Sequence, residues 1–295
     1  MLDSLPVVRR VATRPHRTSP YPLRRPWRAY RDPKYMMRTL PMSFPSLLLG
    51  VLLGVFATPS TAGLADTIAR INPSIVAVGT YLPLRGPNQA IRGTAFVVAG
   101  HYVVTNAHTV PEKLDAGRNE TLAIFIPLAG DRAEVRKATA VRRDDAHDLC
   151  LLRVDGAALP QLRLAGDEEV REGQSIALTG FPILNALGLH PATHTGIVAA
   201  VVPVASPVGA GREISRTMVT RLDRPFDVYQ LDAVSYPGNS GSPVYDPDSG
   251  RVLAVINSTF VKKTKEAAIA DPSGISFAIP VRHVRALLDG AGVKQ

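Results

Sequence analysis

From Ile75 onward the apolar positions fall in short blocks separated by Gly, Pro, Asp and Asn, and most blocks are too short for a helix and rich in β-branched residues. In the first half these blocks are IVAVGTYL (75–82), TAFVVAG (94–100), HYVVT (101–105), TLAIFIP (121–127), KATAVRR (137–143) and DLCLLRV (148–154). A turn-rich stretch, 159–173, follows. A second set of similar blocks comes after it, namely SIALTGF (175–181), HTGIVAAVV (194–202), TMVTRL (217–222), FDVYQLDAV (226–234), RVLAVINSTF (251–260) and ISFAI (275–279). Strands at this spacing predict barrel or sandwich architecture. Two sets of six predict an all-β chain of two tandem six-stranded barrels. Helical spacing occurs only at the ends. Leu64, Ile68 and Ile71 fall on one face of a short helix ending before Asn72-Pro73, and Val281, Val284, Leu287 and Leu288 on one face of a helix opened by Pro280. The second helix is expected to pack against the second barrel. The domain division that results is 1–62, an N-terminal extension; 63–165, the first barrel; and 166–295, the second barrel with its helix.

Charge sharpens this division. The chain of 295 residues has a net charge of +9, but residues 1–62 hold ten Arg and Lys against Asp3 and Asp32. The rest of the chain is therefore close to neutral, and no basic face for nucleic acid is expected. After the basic segment comes an uncharged apolar run, Phe44 to Ala57, shorter than the ~20 residues a membrane span needs. With Ser60 and Ala62 behind it, the run fits a secretory signal cut after Ala62, or a retained N-terminal anchor holding the protein at the membrane. Either way the protein is expected outside the cytoplasm, periplasmic or secreted. The single cysteine, Cys150, lies within an apolar run, so no internal disulfide is possible and the thiol is expected to be a small buried hydrophobe.

Candidate chemistry gathers at three places. YPGNSGSPVYD (236–246) puts Ser240 on a turn with a glycine on either side of the Asn-Ser pair. VVTNAHTV (103–110) puts His108 just after an apolar strand, and RRDDAHDLCLLRV (142–154) puts Asp148 just before one. A serine hydroxyl is a weak nucleophile at neutral pH. An imidazole can take its proton and return it to a leaving amine, and a carboxylate on the other ring nitrogen fixes the tautomer. Backbone N–H groups of Gly238 and Ser240 would stabilise the oxyanion, at roughly 3–4 kcal/mol per donor in comparable sites. Asp148 is preferred over Asp144 and Asp145 because the apolar strand begins directly after it. Ser240 is preferred over Ser235 and Ser242 because neither of those lies between Asn and Gly. His147 is expected to be a solvated neighbour. No zinc-ligand spacing is present, and no metal or cofactor is expected.

Taken in order, GTAFVVAGHYVVTNAHTV, DAHDLCLLRVD, TGIVAAVV, LDAVSYPGNSGSPVYD and ISFAIP resemble the protease domain of HtrA/DegP-type trypsin-like serine proteases, from about Ile75 to Leu288. The resemblance implies a trypsin-like double β-barrel and a catalytic triad at His108, Asp148 and Ser240. It implies an oxyanion hole at Gly238, Asn239 and Ser240. It further implies that the strand around Asn257, Ser258 and Thr259 pairs with the substrate backbone and shapes the first specificity pocket. Ser258, Phe260 and Tyr236 are the pocket candidates; they carry no charge, which favours a small or aliphatic residue before the cut. The family usually has Gly where this chain has Ser242, and it commonly continues into PDZ domains, which are not expected here. The expected partners are exposed or unfolded polypeptides, cut in extracytoplasmic quality control. The alternative is a trypsin-like domain with weak or lost catalysis that binds peptides or acts as a chaperone.

Overall fold

The computed structural model describes residues 63–130, 132–166, 170–183, 188–204, 225–257 and 274–295. All of these lie in one compact unit, Ala57–Gln295. The first barrel is built from β1 (Ile75–Tyr81), β2 (Gln89–Ala99), β3 (Tyr102–Asn106), β4 (Thr121–Pro127), β5 (Ala133–Asp144) and β6 (Leu149–Val154). The second uses β7 (Ser175–Gly180), β8 (Ala192–Pro203), β9 (Asp227–Asp232), β10 (Pro243–Tyr245), β11 (Val252–Ile256) and β12 (Ile275–Pro280). Both sheets are antiparallel and close on themselves, in the orders β1-β2-β3-β6-β5-β4 and β7-β8-β9-β12-β11-β10. The second order is the first with six added to each number, so the two halves share one topology. Closure leaves neither sheet with an open edge.

The two faces of the first-barrel strands serve different cores. Val76, Val78, Ala95, Val97, Val103, Ile124, Cys150 and Leu152 form one cluster. Their alternates Ile75, Ala77, Phe96, Val104, Phe125, Leu149 and Leu151 join the apolar residues of the second barrel in another. Strands buried on both faces explain why blocks such as DLCLLRV read as continuous apolar runs rather than as alternation. Cys150 is fully buried in the first of these clusters, and burial pushes its thiol up to about 11.

Helix α1 (Leu64–Ile71) ends where Asn72-Pro73 opens a tight 3-10 turn, and it is tied to the turn between β10 and β11 by Thr67 Oγ1 donating to the Asp248 carbonyl (3.1 Å). Helix α2 (Val281–Asp289) follows β12 directly, with Pro280 as its N-cap residue and Val281, Val284, Leu287 and Leu288 buried. It packs against the second barrel, as expected, and against the first as well. It contacts β5 and β6 of the first barrel as well as β11 and β12 of the second. Arg142 Nη1, on β5, donates to the Gly290 carbonyl at its end (2.7 Å). β10, three residues long, was not anticipated because its apolar block is too short to register as a strand. The expected strand at 217–222 lies outside the described residues, as does the apolar run 44–57. Among the described residues no helix is long and apolar enough to cross a membrane.

Candidate active site

β3 ends at Asn106 and turns through a single 3-10 turn, Ala107–Thr109, that carries His108. The β5–β6 turn ends at Asp148, whose φ of +54° lies in the left-handed region, where Asp is among the residues that fit most readily. These two turns are laced together. The Asp148 carbonyl accepts from Ala107 N–H (3.0 Å) and from Asn106 Nδ2 (3.1 Å). The Asp148 side chain accepts from His108 N–H at Oδ1 (2.9 Å) and from His108 Nδ1 at Oδ2 (2.7 Å). Because an ionised carboxylate can only accept, the ring hydrogen sits on Nδ1 and Nε2 is left as the basic nitrogen. A third donor comes from the other barrel: Asn257 Nδ2, at the end of β11, reaches Oδ2 at 2.7 Å. Asp148 is 5 % exposed, so these bonds replace solvent around a buried charge.

Ser240 lies in the turn before β10 and is also only 5 % exposed. Two glycines shape this turn. Gly238 has φ +106° and Gly241 φ +88°; at Gly241 a Cβ would collide with the Thr94 carbonyl and lie 2.6 Å from Thr105 Oγ1. Inside the turn, Asn239 N–H donates to the Tyr236 carbonyl (3.0 Å) and Ser242 N–H to the Asn239 carbonyl (2.9 Å). The N–H of Asn239 is thus occupied, whereas the N–H groups of Gly238 and Ser240 make no hydrogen bond to any described residue. Asn239 and Ser242 are both fully buried, so the Ser242 hydroxyl is enclosed rather than facing solvent.

Several neighbours make contacts that the sequence pattern did not indicate. Asn257, expected on the strand that pairs with substrate, spends its side-chain amide on Asp148, while its N–H donates to the Phe277 carbonyl (2.8 Å). Ser258, Thr259 and Phe260 lie outside the described residues. His147 is not simply solvated. Its Nδ1 pairs with Asp144 Oδ2 (2.7 Å), its ring stacks on His283 of α2 at 4.0 Å, and Phe226 meets it edge-on at 4.6 Å. Asp144 is therefore a partner of His147, not of His108. Among the described residues no group of three or more His, Cys, Asp or Glu could hold a metal ion.

Two six-stranded antiparallel barrels, a His–Asp pair at the turns of one and a serine on a glycine turn of the other, define the architecture of trypsin-like proteins. The chain belongs to the trypsin-like peptidase domain family, whose profile matches residues 93–255. It is 31 % identical over 190 residues to the "Probable periplasmic serine endoprotease DegP-like" of Halomonas elongata, covering 64 % of this chain and 32 % of that protein. It is 28 % identical over 230 residues to human serine protease HTRA3, covering 76 % of this chain and 44 % of the relative. The chain thus spans about a third of the length of the DegP-like relatives it matches. Among solved structures, the active form of the Rv3671c protease from M. tuberculosis superposes with a TM-score of 0.54 at 26 % identity, over 78 % of this chain and 85 % of that one.

Proposed function

We propose that this protein is a serine endopeptidase that cuts exposed or unfolded polypeptide outside the cytoplasm through an acyl-enzyme. In this mechanism Ser240 Oγ attacks the scissile carbonyl carbon as His108 Nε2 takes its proton. The N–H groups of Gly238 and Ser240 hold the oxyanion. The C–N bond then breaks, His108 returns the proton to the leaving amine, and water, deprotonated by the same imidazole, releases the acyl group. The Asp148 carboxylate carries the assignment: it is buried, it faces His108 Nδ1 at 2.7 Å, and it takes a further 2.7 Å bond from the second barrel. A carboxylate so enclosed favours the imidazolium that forms when Ser240 is deprotonated. Export is supported by the periplasmic description of the DegP-like relatives and by the apolar run before Ala62.

The test is Ser240→Ala. Casein cleavage and labelling by a fluorophosphonate probe should both disappear, with the circular dichroism spectrum and thermal midpoint retained. Retained cleavage would exclude Ser240 as nucleophile. A folded wild-type protein that takes no label would replace the endopeptidase by a peptide-binding domain on the same fold.

A further inference from the structure

Thr94 belongs to β2 of the first barrel, is fully buried, and touches the serine turn of the second barrel through both its backbone and its side chain. Its N–H donates to the Ser240 carbonyl (2.8 Å) and its hydroxyl donates to the Gly238 carbonyl (2.8 Å). The same hydroxyl accepts from Phe181 N–H, just after β7 (3.1 Å). Two residues on, Ile183 N–H donates to the Pro237 carbonyl (2.8 Å). Toward the other side, the Thr94 carbonyl accepts from Thr105 Oγ1 (2.7 Å), and Thr105 Oγ1 lies 3.0 Å from Thr109 Oγ1 at the turn that carries His108. One residue therefore stands between the histidine turn and the serine turn, hydrogen-bonded toward both.

The consequence lies in the peptide planes. Gly238 has no side chain to restrict it, and its φ of +106° is held from outside. The plane before it is fixed by Ile183 on the Pro237 carbonyl, and the plane after it by the Thr94 hydroxyl on the Gly238 carbonyl. A trans peptide points its N–H opposite to its C=O. Anchoring the Pro237 carbonyl thus sets where the Gly238 N–H points, and anchoring the Gly238 and Ser240 carbonyls fixes the chain on either side of the Ser240 N–H. We infer that Thr94 is a positioning residue: its hydroxyl locks the Gly238 carbonyl, and so pre-orients the backbone donors that would stabilise the oxyanion. A preset donor costs no reorganisation when charge develops, which is the condition under which such groups accelerate acyl transfer. The inference rests on the endopeptidase assignment above, since it names a device serving that same site.

Thr94→Val keeps the branched shape and removes the hydroxyl; Thr94→Ser keeps the hydroxyl and removes a methyl. For Thr94→Val, kcat on a peptide substrate should fall by about 30-fold or more with KM within about twofold, because the loss is felt in the transition state. The rate of fluorophosphonate labelling should fall in parallel, and amide exchange across 236–242 should accelerate. Thr94→Ser should keep kcat within about threefold even though it loses buried apolar contact. Thr80→Val, which removes another buried hydroxyl far from the serine turn, should lower stability and leave kcat unchanged. Wild-type exchange and labelling rates in Thr94→Val would overturn the inference. If Thr94→Val does not fold, a kcat loss in Thr94→Ser at unchanged urea stability would overturn it instead. An unlabelled wild-type protein would sink the endopeptidase assignment and the catalytic purpose of Thr94 together, whereas a labelled wild type with an equally reactive Thr94→Val sinks the inference alone.

Discussion

Asp148 accepts hydrogen bonds from His108 at both carboxylate oxygens and from Asn257 at Oδ2, while its carbonyl takes Ala107 N–H and Asn106 Nδ2. A buried carboxylate that loses one of its donors has no water to replace it, so the bond from Asn257 is worth more than a surface contact. Asn257→Ala should lower the free energy of unfolding by about 1.5–3 kcal/mol in urea titrations. It should also slow peptide cleavage by roughly tenfold, because a less restrained carboxylate orients His108 less well. At this scale the sequence was informative about types and poor about partners. His108 and Asp148 were singled out because each adjoins an apolar strand, and Ser240 because it lies between Asn and Gly on a turn; of these the structure pairs His108 with Asp148. Asn257 as a donor to Asp148 was not legible, since 109 residues separate the two and nothing local in either segment points to the other.

The turn before β10 is the element on which the site depends. It crosses from one barrel toward the other, so its backbone must approach β2 closely, and Gly241 permits this. An alanine there would carry a Cβ into the Thr94 carbonyl and Thr105 Oγ1 while holding an unfavourable φ of +88°. Gly241→Ala should cost at least about 3 kcal/mol, read as a fall in the thermal midpoint, with cleavage activity lost in step. The strands themselves were largely visible as apolar blocks, and most boundaries fall within a few residues of the pattern. β2 and β5 run longer than their apolar cores because pairing with neighbours extends them through polar residues such as Gln89 and Arg136. β10 escaped notice for the opposite reason: three residues become a strand only through pairing with β7 and β11.

Across the whole molecule, α2 fastens the two barrels, and its contact with the first barrel centres on stacked imidazoles. His283 packs on His147 with Phe226 edge-on to both, and Asp144 completes the group. Burial, reinforced by His147 and Arg282, pushes the His283 imidazole down to about 3 from an ordinary 6.5. The unfolded chain therefore takes up a proton between those values while the folded chain does not. The stability tied to this group is complete above pH 6.5 and is lost as pH falls toward 3, by at most about 1.4 kcal/mol per pH unit. Burial lowers His194 as well, with the same sign. Burial opposes ionisation of Asp144, but its hydrogen bonds from His147 outweigh that and hold it below the ordinary carboxylate range, so its contribution is lost only in stronger acid. Urea titrations at pH 7 and pH 5 should show a lower stability at pH 5, and His283→Phe should shrink the difference. What the sequence determined by itself was whatever follows from local pattern: the all-β class, the two sets of strands, the helical ends, and the three residues placed where chemistry is possible. Only the tertiary structure decided that Asn257 serves Asp148, that Thr94 joins the two turns, and that α2 binds both barrels. Those are contacts between residues far apart along the chain, fixed by closure and packing of the barrels, and periodicity carries no information about them.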